Sequence, residues 1–165
     1  MIYKTLLLCL VLTGCSGGTP DWYRHQGFNS TECGPTAAVM AVMWAGGDTD
    51  RQTARSHFQN PRWWHMSHIK KFIQHNQVDT DYVAVRKPAR DELGIYFTDN
   101  IHYVVVERSS HSNSKVDIYD PMGAALRRTE KWSEFEKRIS ADYFIRVKRD
   151  ESEFILASTE STIVP

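Results

Sequence analysis

The stretch "NSTECGPTAAVMAVMWAGG", residues 29–47, decides how this chain is read. A polar turn leads into Cys33, then Gly34 and Pro35, then a run that is almost wholly apolar. The spacing predicts a helix over Cys33–Ala45. Pro35 suits its first turn, where no amide hydrogen is needed. Ala38, Val42 and Ala45 fall on one face, and Val39, Met40 and Met43 widen it. Apolar surface runs nearly all round, so the helix is expected to be central. Gly46-Gly47 ends it. A cysteine at the mouth of such a helix is chemically pointed. Unpaired amides and aligned peptide dipoles favour negative charge there and lower a thiol pKa.

The other cysteines sharpen the point. The chain starts "MIYKTLLLCLVLTGC": one positive charge at Lys4, an apolar run from Leu6 to Leu12, then small residues. This reads as a signal peptide over residues 1–14, too short to span a bilayer as a mature helix. Leu12-Thr13-Gly14-Cys15 looks like a bacterial lipobox, which predicts cleavage before Cys15 and its lipidation. Several acyl chains on one residue anchor a protein stably. Ser16 after the cysteine points, by resemblance, to the outer membrane facing the periplasm if the source is Gram-negative. Cys9 then leaves with the signal peptide and Cys15 becomes a thioether. Cys33 is the thiol that remains, in an oxidising compartment, with no partner for an intramolecular disulfide.

The chain has 20 basic and 20 acidic residues. No basic stripe argues for nucleic acid, and no cofactor motif is present. Residues 15–21 read as a short tether, 22–150 as one domain and 151–165 as a tail. Trp22, Tyr23 and Phe28 look like aromatic anchors of an irregular segment. Helices are expected over 50–58 and 65–76. Ser67 is the expected cap of the latter, with Ile69, Phe72 and Ile73 inward. Strand-like segments follow at 80–86, 93–97, 102–108, 115–121 and 142–150, with a hairpin turn at 110–115. "KWSEFEKRI", 131–139, reads as a short helix capped by Ser133. Helices first and mostly antiparallel strands after make the fold class α+β, one layer of each.

A thiol needs a base, and the base needs an orienting group. Among the seven histidines, His102 opens an apolar strand, "IHYVVVE", right after the turn "TDN". A side chain there is fixed by a sheet yet sits at its rim. The next strand ends in Asp120, in "IYDPMG". Antiparallel pairing centred on residue 111 sets His102 beside Asp120. Singly, each has a plainer reading: buried cysteine, strand-end histidine, turn aspartate. Together they are expected to form a catalytic set.

"ECGPTAAVMAVMWAGG", "IHYVVVE" and "VDIYDPMG", in that order, resemble the papain-like cysteine peptidases of the bacteriocin-processing, double-glycine-leader type. They are most similar to the stand-alone domains called peptidase C39-like. The resemblance implies a papain-like α+β fold with N-terminal helices packed on a mostly antiparallel sheet. It makes Cys33 the nucleophile, His102 the general base and acid, and Asp120 its orienter. It also implies a glutamine upstream of the cysteine as oxyanion donor. Gln26 is the candidate, seven positions ahead, one more than is usual. The expected substrate is a peptide or protein in the periplasm or outside. Peptide hydrolysis is the leading expectation. Acyl transfer or deamidation by the same triad is a second. A catalytically weak or inactive binding or assembly lipoprotein on the same scaffold is a third.

Trp63-Trp64 reads either as a core lid or as a wall of the substrate groove. His65-x-x-His68 has the look of a metal pair, but no third ligand is placed and no metal is expected. Lys70-Lys71 and Arg127-Arg128 read as solvated charges.

Overall fold

The apolar run after Cys33 forms α1, Cys33–Trp44, in a computed structural model that describes residues 20–27, 31–57, 64–123 and 127–149. Every residue from Gly34 to Val42 is buried, as an all-round apolar helix must be. Its end is a Schellman motif. Gly46, at φ +95°, donates to the Met43 carbonyl, and Gly47 donates to that of Val42. α2, Arg51–His57, and α3, Met66–His75, pack against α1. Ile69, Phe72 and Ile73 of α3 are fully buried, as expected.

Ser67 does not cap α3. The N-cap position is His65, in extended conformation, and its amide donates to His68 Nδ1 at 3.3 Å. The two histidines are thus joined across the helix start, because Met66 is already inside the first turn with its side chain buried. The signal peptide, Cys15, Phe28, Trp63 and the tail 151–165 lie outside the described residues. Among the described residues no helix is long and apolar enough to cross a membrane.

The strands are β1 (Thr80–Ala84), β2 (Glu92–Thr98), β3 (His102–Arg108), β4 (Lys115–Tyr119), β5 (Arg128–Lys131) and β6 (Tyr143–Lys148). They form a six-stranded sheet in the order β1-β6-β2-β3-β4-β5, antiparallel throughout. Alternate residues serve two cores. Leu93, Ile95, Tyr103, Val105 and Tyr119 face α1 and α3. Tyr96, Val104, Val106, Ile118 and Phe144 face the other way, around Phe135 of α4, Trp132–Phe135. The fold class is α+β, as read, but the sheet is not a bare second layer. α4 covers its far face, which is why β2 and β3 are buried at most positions and their central residues are apolar without alternation.

Two further expectations need correction. Ser133 lies inside α4, whose N-cap position is Lys131. β5 has no apolar alternation and was not foreseen. It forms because Asp117, buried in β4, accepts from Thr129 at 2.5 Å and from Arg127 at 2.8 Å. Arg127 is therefore an ion-pair partner, not a solvated charge.

Gly94 carries the far core. A Cβ there would stand 2.4 Å from Cε2 of Tyr96 and 3.1 Å from Cδ2 of Phe144. The Tyr96 ring stacks on Phe144 at 4.6 Å, and its hydroxyl donates to the Arg86 carbonyl at 2.5 Å, so the ring has nowhere to go. Gly94→Ala is expected to destabilise the chain by about 2 kcal/mol, in the range of overpacked cores. A melting temperature equal to that of the wild type would refute this.

Candidate active site

Cys33 is the first residue of α1, so it meets the amides that the helix leaves unpaired. Burial pushes its pKa up. A hydrogen bond from the His102 ring, backbone amides of Tyr103 and Gly34, and the nearby imidazolium charge outweigh that and bring the thiol below its ordinary value. Glu32, immediately before it, would oppose this with a negative charge. That carboxylate is covered by Arg55 at 2.5 Å and Arg51 at 3.7 Å.

His102 is the first residue of β3 and 7% exposed. It follows a tight connection in which Asp99 and Asn100 both adopt positive φ, 53° and 60°. Asp and Asn tolerate that region better than other side chains. The hairpin is braced from outside: Arg138 pairs with Asp99 at 2.8 Å, and the Asn100 amide donates to Ser140 Oγ at 2.8 Å. His102 Nε2 lies 2.6 Å from Asp120 Oδ1. With Nε2 committed to the carboxylate, Nδ1 is the ring nitrogen left for the thiol. Burial pulls the imidazole pKa down, but the hydrogen bonds to Asp120 and Cys33 and their charges raise it to about 9. Burial likewise raises the Asp120 carboxyl, and the His102 hydrogen bond and charge bring it below its ordinary value.

Asp120 and His102 meet, but not in the register expected. The ladder pairs Val105 with Tyr119 and Val106 with Ile118, which centres it on residue 112 rather than 111. Asp120 stands past the last paired residue and reaches His102 diagonally, a distance that side chains on one face can span. The turn after it locks the carboxylate. Oδ1 also accepts from the Met122 amide at 2.9 Å, and the Asp120 carbonyl accepts from the Tyr23 hydroxyl at 2.9 Å and the Gly123 amide at 3.1 Å.

A cavity of about 470 Å³ opens beside the pair, lined in part by Gln26, Cys33, Trp64, Phe97, His102 and Tyr103. Gln26, the candidate oxyanion donor, is buried and lines this cavity. Its backbone amide donates to the Pro121 carbonyl at 2.9 Å. The one-residue excess between Gln26 and Cys33 therefore does not keep Gln26 from the site. Trp64 fits both readings given for it. It is 5% exposed and packs edge-to-face on Phe72 at 5.8 Å, and it also walls the cavity. Gly34 permits that approach, since a Cβ there would lie 2.7 Å from Trp64 Cβ.

Sequence reading missed three contributors. The Tyr103 amide on the sulfur is a backbone group, invisible in a list of side chains. Tyr23 was read as an anchor, without its hydroxyl bond to Asp120. Arg51 sat in a helix with no apparent role. Among the described residues no group of three or more His, Cys, Asp or Glu side chains could hold a metal ion.

No protein-family model matches the sequence, and no curated protein matches it. Solved structures do. A double-glycine-motif protease from an AMS/PCAT transporter, in complex with a leader peptide, superposes with a TM-score of 0.62 at 12% identity, over 77% of this chain and 91% of that one. The peptidase domain of Streptococcus ComA, a bi-functional ABC transporter of a quorum-sensing pathway, superposes with a TM-score of 0.62 at 13% identity, over 78% of this chain and 99% of that one. The chain thus has the papain-like α+β fold of double-glycine peptidase domains.

Proposed function

We propose that this chain is a cysteine peptidase, tethered to the bacterial envelope by lipid on Cys15, that hydrolyses peptide or amide bonds. One observation carries the catalytic part: His102 bonds Asp120 through Nε2 and the Cys33 thiol through its other side, at the mouth of a cavity. The shifts run in the useful directions. A thiol held below its ordinary pKa beside an imidazole raised to about 9 favours the thiolate–imidazolium pair.

In the first step the Cys33 sulfur attacks the substrate carbonyl carbon and the π electrons move to oxygen. The Gln26 side-chain amide and the Cys33 backbone amide donate to that oxyanion. The tetrahedral species collapses, the carbon–nitrogen bond breaks, and the imidazolium proton of His102 passes to the leaving amine. His102, now neutral, takes a proton from water. The hydroxide attacks the thioester, the carbon–sulfur bond breaks, and the acid product leaves with thiolate and imidazolium restored. Asp120 accepts from Nε2–H throughout and keeps the other nitrogen facing the sulfur.

The structural neighbour that holds a leader peptide supports a peptide as the ligand. The cavity beside Cys33, with Trp64, Phe97 and Tyr103 in its walls, would take an apolar side chain of that peptide. The test is digestion of a proteome-derived peptide library by the full-length chain in mild detergent, read by mass spectrometry. New termini absent from a Cys33→Ala blank are expected. A library that the two proteins leave identical would reject hydrolysis and favour the binding scaffold.

A further inference from the structure

Gln26 sits in a segment, residues 20–27, that has neither helix nor strand. A donor for a developing oxyanion has to be held within a fraction of an ångström, so something must stand in for a ladder. On one side, the Tyr23 hydroxyl and the Gln26 backbone amide bond the Asp120-Pro121 turn, which belongs to the sheet half of the site. On the other side, the Gln26 carbonyl accepts from Arg51 Nη1 at 2.6 Å. The same Nη1 lies 3.7 Å from the carboxylate of Glu32, the residue before Cys33. Arg51 opens α2, which packs on α1. The chain turns immediately after Gln26, at Gly27 with φ +90°.

We infer that Arg51 is a positioning residue: its guanidinium ties the Gln26 backbone to the helical half that carries Cys33 and sets where the Gln26 side-chain amide stands relative to the sulfur. The inference rests on the reading of Gln26 as oxyanion donor. A planar guanidinium suits the task, because separate N–H groups in fixed geometry can serve a carbonyl and a carboxylate together. Arg55 is the nearer partner of Glu32 at 2.5 Å, so the charge beside the thiol stays covered when Arg51 is removed.

Two reagents separate this role from a general structural one. p-Nitrophenyl acetate acylates a thiolate through a tetrahedral oxyanion. Iodoacetamide alkylates it by displacement at a saturated carbon and forms none. Both rates are measured on the full-length chain, with Cys33→Ser as the blank. Gln26→Ala is expected to slow acylation about 100-fold, as loss of one oxyanion donor does. Arg51→Ala is expected to slow it about tenfold, with alkylation changed less than twofold. In the Gln26→Ala background, Arg51→Ala is expected to add nothing, since it acts through a group already gone. Arg51→Lys, which keeps one donor to the carbonyl, should recover part of the loss and guards against an Arg51→Ala chain that fails to fold.

Equal slowing of both reagents by Arg51→Ala or Arg51→Lys, or losses that multiply with that of Gln26→Ala, would overturn the inference. An acylation rate insensitive to Arg51 but sensitive to Gln26 would overturn it while leaving the oxyanion reading standing. A rate insensitive to Gln26→Ala would remove the oxyanion reading, and the role of Arg51 with it.

Discussion

His102→Ala is expected to abolish the proposed peptide hydrolysis, a loss of about 10⁴-fold or more in kcat, in line with removal of a group that acts as both base and acid. It also changes how Cys33 meets an alkylating agent. In the wild type the hydrogen bond and charge of His102 help hold the thiol below its ordinary pKa. Alkylation is therefore expected to stay fast below the pH at which an unperturbed thiol ionises. In His102→Ala it should climb toward the profile of an unperturbed thiol, with a midpoint near pH ~8.5. At pH 6 such a thiol is only about 0.3% ionised, although the thiolate it does form is intrinsically more nucleophilic. The first effect outweighs the second, so the net expectation is slower alkylation of His102→Ala than of the wild type at pH 6.

The wild-type profiles of the two reactions also part company on the alkaline side. The His102 pKa is raised to about 9, so hydrolysis is expected to fall through that value as the acid for the leaving amine is lost. Alkylation needs no such acid and does not fall. A wild-type alkylation curve that rises only near pH 8.5, or one that His102→Ala leaves unmoved, would sink the thiolate–imidazolium pair.

Much of this site is legible in the sequence. α1 announced itself because an apolar surface all round a Pro-started, Gly-ended segment has few other places to be. The strands stood out as runs rich in Val, Ile and aromatics, and β3 begins and ends where that pattern put it. What escaped was set by tertiary context. β5, "RTEK", carries no apolar period, and its pairing depends on the buried Asp117 three-dimensionally opposite it. The register of β3 on β4 was off by one position at its centre because the turn that sets it contains Ser109, His111 and Ser114, none of which dictates a turn type. His65 outcompeted Ser67 as cap because burial of Met66 decides where the helix starts, and capping preference is worth only about 1 kcal/mol. The backbone donors on the sulfur and the reach of Arg51 are properties of the fold, with no signature in residue spacing.

Asp120→Ala and Asp120→Asn are expected to differ sharply, and the reason is a single oxygen. Oδ1 accepts both from His102 Nε2, at 2.6 Å, and from the Met122 amide, at 2.9 Å. In Asp120→Asn the side chain could in principle turn its NH₂ toward the imidazole, force the wrong tautomer and leave Nδ1 protonated against the sulfur. The Met122 N–H forbids this, since an amide nitrogen in the Oδ1 position would face another donor. The asparagine oxygen therefore stays at Oδ1 and still accepts from Nε2–H. Only the charge is lost. Hydrolysis should fall about tenfold in Asp120→Asn and about 10³-fold in Asp120→Ala, which loses both the tautomer lock and the hold on the turn. The pH profile carries the sign. Asp120 raises the His102 pKa by its hydrogen bond and its charge, so in Asp120→Asn the alkaline limb moves from near pH 9 toward neutrality. Stability follows the same linkage. The raised His102 stabilises the fold below about pH 6.5 and that share is lost through about pH 9. The lowered Asp120 stabilises it above about pH 4 and that share is lost in acid. The melting temperature of Asp120→Asn should thus lie furthest below the wild type between these limits and converge with it outside them. Equal activity losses in the two variants, or an alkaline limb that does not move, would mean that the carboxylate holds the turn and nothing more.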